Sequence, residues 1–189
     1  MCSSDLNRGI ARTRSIKETL KGWIFSSFYN GSDTDWYYYN INYQSITNSD
    51  DGIYVAAIIN APGQLPNVLI KKINFNGNVI WQKQYQATYY YGAYVSQVII
   101  KKYNNYIYTM ISYALGGGDF PPVINILKHD LDGNLIEELI CDTIVYEDSS
   151  NSHIINLRDA VINEDYLYII FDVGTQMSIM KVQLSKIGR

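Results

Sequence analysis

Acids and amides at alternate positions are the first residues in this chain that could do chemistry. Asp130, Asp132 and Asn134 in "DLDGN" have the alternation of a calcium loop, where hard oxygen ligands converge on one cation. The EF-hand pattern then asks for glycine at its sixth position and glutamate at its twelfth, and this chain has Leu135 and Cys141 there. A hairpin turn is therefore the expected structure of the stretch. Asp33 and Asp35 in "GSDTDWYYY" could ligate calcium or act as paired carboxylates, although two acids in a polar loop also cap turns or stay solvated. His129 and His153 are the only histidines, and neither has Cys or His beside it at zinc-ligand spacing. Gly116, Gly117 and Gly118 lack the following Lys-Ser/Thr of a phosphate cradle, and no Ser, His and Asp set with a nucleophile elbow is visible. No catalytic residue, metal or cofactor is assigned from these patterns.

The elements that would position such residues follow from composition and from a repeat. The chain has 189 residues, enough for one domain that buries roughly 70% of its unfolded surface. It carries a net charge of -3 and no Lys/Arg block longer than a pair, which argues against an electrostatic grip on nucleic acid. No apolar run approaches the roughly 18 residues of a membrane span. Tyr is abundant, 18 copies against 5 Phe and 3 Trp, and with Ile, Val and Asn it points to strands. Cys2 and Cys141 are too few for a disulfide framework.

"NFNGNVIWQKQY" and "DLDGNLIEELIC" both run from a polar residue through Gly-Asn into a β-type stretch. Asn76-Gly77 and Asp132-Gly133 suit a two-residue type I′ turn, with both central residues at positive φ. Upstream lie apolar strands ending in a basic residue, Lys72, Lys128 and Lys181, and before those lie strands aligned at Tyr54, Tyr108 and Tyr168. Phe25, Trp81 and Glu137 recur at one interval, as do Tyr29, Tyr85 and Cys141. A period of roughly 50 to 60 residues holding four short strands is the size of a β-propeller blade. The expected fold is all-β, a partial β-propeller of four-stranded antiparallel blades, about three and a half in number. Residues 7–29 would be the last hairpin of one blade, 30–85 and 86–141 two full blades, and 142–185 part of another.

The stretch from Trp23 to Tyr85 resembles a family of secreted bacterial β-propeller repeats. Their pattern runs from an aromatic to Tyr-Gly-Gly, then Asp-Gly-Gly-Tyr-Ile-Val-Ala-Gly, then Ile-Lys-Leu-Asp, then Gly-Asn and Trp. Here Asn30-Gly31, Asp51 to Ala57, Ile70 to Asn74, and Gly77-Asn78 with Trp81 hold those places. The second copy departs from it, with Glu137 where Trp is expected. The resemblance implies a secreted or surface-attached protein, and the family has no common catalytic residue to carry over.

In a propeller the connections between blades, and those between second and third strands, open on one face. That places Trp36, Tyr37, Tyr38, Tyr39, Tyr89, Tyr90, Tyr91 and Phe120 near one rim, with Asp33, Asp35 and Asp119 among them. Flat rings beside acids and amides suit carbohydrate or protein, since a tyrosine ring buries apolar area while its hydroxyl keeps a hydrogen bond. The expected function is a non-catalytic binding module for glycan or protein. A glycoside hydrolase or quinone-dependent dehydrogenase with its site on other blades is one alternative, and a spacer in a larger surface protein is another.

The two ends carry a separate expectation. Cys2 to Leu6 can be encoded TGC TCT TCC GAT CTN, and Lys186 to Arg189 can be encoded AAG ATC GGA AGA. These are reverse complements over their shared length and look like translated sequencing adapter. Residues 1–6 and 186–189 are accordingly expected to be non-native, flanking an internal piece of a longer chain.

Overall fold

The computed structural model describes residues 40–60, 67–86, 93–115, 123–141, 155–173 and 175–187. The first sheet is an antiparallel meander of β1 (Asn40–Ser49), β2 (Gly52–Asn60), β3 (Asn67–Ile73) and β4 (Val79–Gln86), paired in that order. The second repeats it with β5 (Ala93–Tyr103), β6 (Tyr106–Leu115), β7 (Val123–His129) and β8 (Leu135–Cys141). The third has β9 (Ile155–Asn163), β10 (Tyr166–Val173) and β11 (Gln176–Gln183), with β10 in the middle, followed by a 3-10 turn at Leu184–Lys186. The all-β class and the four-stranded antiparallel sheets are thus as expected. Among the described residues the sheets stand in series and close no ring.

The middle strands are covered on both faces, so Val68 to Ile73 and Ile107 to Tyr113 are buried without alternation, Lys71 and Lys72 included. Tyr54, Ala56, Ile58 and Ile70 of the first sheet pack against Val98, Ile100, Ile111 and Leu127 of the second. The other face of the second sheet, with Tyr108, Met110, Ile124 and Ile126, packs against Leu157, Leu167, Ile169 and Phe171 of the third. Sheets meet along their first strands, whose free edges would otherwise expose unpaired backbone groups. The Ile100 amide donates to Ser45 Oγ at 3.0 Å, Ser96 Oγ donates to the Ile155 carbonyl at 3.4 Å, and Lys101 Nζ meets Asp159 Oδ1 at 2.8 Å. The last two contacts make β5 and β9 run in the same direction.

The hairpins before β4 and β8 differ from the expected type I′ turn. Gly77 and Gly133 have φ of 86° and 79°, but Asn76 and Asp132 are not at positive φ. The Gly77 amide donates to the Asn74 carbonyl at 2.9 Å and the Asn74 amide to the Asn78 carbonyl at 2.9 Å, giving a three-residue loop that ends on a left-handed glycine. The side chain before the loop explains the choice, because Asn74 Oδ1 accepts from the Asn76 and Asn78 amides. Asp130 Oδ1 accepts from the Asp132 and Asn134 amides in the same way, and its Oδ2 accepts from Asn134 Nδ2. A carboxylate so engaged belongs to a hairpin rather than to a cation loop, and these donors, Asn134 first, hold Asp130 below the ordinary carboxylate range.

Candidate binding cleft between the first two sheets

The aligned residues of the repeat are cross-strand neighbours. Tyr54 pairs with Lys72 and Lys72 with Trp81; Tyr108 pairs with Lys128 and Lys128 with Glu137; Tyr168 pairs with Lys181. Lys72 Nζ lies 5.5 Å from the centre of the Tyr54 ring and Lys181 Nζ 3.9 Å from that of Tyr166, while Lys128 Nζ lies 4.7 Å from the ring of Tyr106, two residues before its paired Tyr108. In the first sheet Lys72 Nζ meets Asp51 Oδ2 at 2.6 Å, and Lys72 and then Ser49 keep Asp51 below its ordinary range. In the second sheet Asn105 stands where Asp51 does, and Glu137 supplies the carboxylate at 2.7 Å from Lys128. The exchange of Trp for Glu in the second copy is thus matched by the loss of an acid in the turn. Gly52, in the same Asp-Gly turn, has no room for a side chain, since a Cβ there would lie 2.3 Å from the Ile73 carbonyl oxygen.

Where the first sheet keeps tryptophan, β4 grips the next sheet. Trp81 Nε1 donates to the Leu131 carbonyl at 3.0 Å, and the ring lies flat enough on Gly133 that a Cβ would come within 2.8 Å of it. Tyr85 donates to the Gly133 carbonyl at 2.5 Å, and burial pushes its phenol up to about 12.

Beside this joint is a cleft of about 310 Å³ between β4 and the face of the second sheet. Gln84 and Tyr85 form one wall, Ile111 and Leu127 the floor, and Tyr113, Asn125, Leu135 and Glu138 the rest. Asn125 is 3% exposed; its Nδ2 donates to Glu138 Oε1 at 2.5 Å and its Oδ1 has no partner. Two buried neighbours on the same face are likewise incomplete, Thr109 at Oγ1 and His129 at both ring nitrogens. Leaving such groups without hydrogen bonds costs about 1–3 kcal/mol each. The equivalent positions in the first sheet are Val55, Leu69 and Ile73, all apolar, and in the third Ile169 and Val182 match Thr109 and His129 while Ser178 matches Asn125. One face of one repeat has been made polar. Sequence reading missed it, although placing the copies under one another position by position displays the change.

The residues expected at the rim, Asp33, Asp35, Trp36, Tyr37, Tyr38, Tyr39, Tyr89, Tyr90, Tyr91, Asp119 and Phe120, lie outside the described residues. The strand ends that flank their segments are described. In each four-stranded meander the start of the first strand, the link between second and third strands and the end of the fourth strand share one end of the sheet. Comparison with family models, with curated proteins and with solved structures found no match.

Proposed function

We propose that the chain is part of a secreted or surface-attached β-propeller that acts as a non-catalytic binding module for glycan or protein. The observation that carries the proposal is the serial stacking of equivalent sheets through their first strands, the manner in which blades surround an axis. With that arrangement, the connections holding Trp36, Tyr90 and Phe120 leave from one end of the sheets, where rings and acids from successive repeats can act on one ligand. The repeat resemblance of the first copy supports export.

The test uses the full chain and its Trp36→Ala and Tyr90→Ala variants against a glycan array and a panel of cell-surface proteins. Binding by the parent that falls at least about tenfold in either variant supports the module. Undiminished binding in both, or hydrolase or quinone-linked dehydrogenase turnover, rejects it.

A further inference from the structure

We propose that the cleft between the first two sheets binds a single neutral sugar residue, at a site separate from the loop end. The inference extends the binding reading to residues it does not include.

Three observations converge on it. The cavity, about 310 Å³, lies at the small end of the range for ligand sites and suits one ring rather than a chain of them. Its lining combines an aromatic wall at Tyr85 with a floor of Ile111 and Leu127, surfaces against which the C–H face of a sugar buries its apolar area. Its polar groups include a carboxylate that is open to the cleft, since Glu138 is exposed and accepts from Asn125 Nδ2 on Oε1. A sugar hydroxyl donates to that carboxylate, and the Tyr113 hydroxyl and the Gln84 amide can give or accept in return.

The comparison between repeats sets Asn125 apart from the first sheet, where Leu69 holds an equally buried strand position, while the third repeat has Ser178. Asn125 is a positioning residue, holding the Glu138 carboxylate on the cleft wall, while Glu138 itself meets the ligand.

The experiment is saturation-transfer NMR on the full chain with the methyl glycosides of glucose, mannose, galactose and N-acetylglucosamine, each at about 10 mM to reach weak sites. Tetramethylammonium chloride serves as a cationic control, since Glu138 and two tyrosines could also hold an ammonium ion. The variants are Glu138→Gln, Asn125→Leu and, at the other site, Trp36→Ala with Tyr90→Ala. Thermal unfolding is followed for each.

The expected result is transfer to at least one glycoside, weakened about tenfold or more by both cleft variants, with Asn125→Leu melting at or above the parent temperature. Glycoside binding lost only on changing Trp36 and Tyr90 overturns the cleft and leaves the loop-end module standing. Absence of transfer to every glycoside, transfer to the ammonium ion alone, or a lowered melting temperature in Asn125→Leu also overturns it.

Discussion

His129 concentrates the cost of the polar face in one residue. It is fully buried, its ring packs 4.7 Å from the Tyr85 ring at a tilt of 52°, and burial brings its pKa down to about 4 against a weaker opposing pull from Asp130. The folded state thus holds a neutral imidazole, while the unfolded chain takes up a proton near pH 6.5. Between these values the unfolded state binds more protons, so stability is fully present above about 6.5 and drains away as pH falls toward 4, by about 3 kcal/mol. Asp51, Asp130 and Asp159 are held below their ordinary value of 3.8, so their losses come later on acidification. Urea titrations at pH 7, 6, 5 and 4.5 will show a falling midpoint in the parent and a nearly level one in His129→Phe. A slope that survives the substitution assigns the acid sensitivity to another group.

At the scale of elements, strand existence was legible and strand facing was not. The runs around Tyr54, Tyr108 and Tyr168 and around Lys72, Lys128 and Lys181 carry their β-branched and aromatic character openly, and all six became strands. Bulges hide the rest. The pairing skips Ser96 and Arg158, so that Val95 and Val98, or Leu157 and Ala160, face one core across an odd interval. Ile80 and Ile136 are skipped likewise, which leaves them 51% and 45% exposed and turns Trp81 toward the neighbouring sheet. A strict alternation of period two cannot register such slips. The joint that Trp81 makes is testable through Gly133. Gly133→Ala places a Cβ against the indole and strains a backbone at φ 79°, and Trp81→Ala removes the obstacle while leaving the strain. A double-mutant cycle by urea denaturation is expected to give a coupling of about 1–2 kcal/mol, with Gly133→Ala less harmful when Trp81 is absent. Additive costs would place the ring elsewhere in solution.

Over the whole molecule, the second sheet is the shared partner. Its two faces feed two clusters that have no residue in common, one with the first sheet and one with the third. Stability in such a series is a sum of unit terms and nearest-neighbour terms, so a local loss travels one sheet and fades. The polar cleft sits in the first of these two interfaces, while the core cluster of the second is built of apolar side chains. Ile169→Val, in the second cluster, trims one methyl group and costs about 0.5–1.5 kcal/mol. Native-state hydrogen exchange should then quicken by roughly fivefold in β9, β10 and the facing residues of β6 and β7. Amides of β2 and β3 should keep their parent rates, because no residue of their cluster has lost a contact. Equal quickening in β2 and β3 would mean that all three sheets open together, and the serial arrangement would then describe geometry without describing energy.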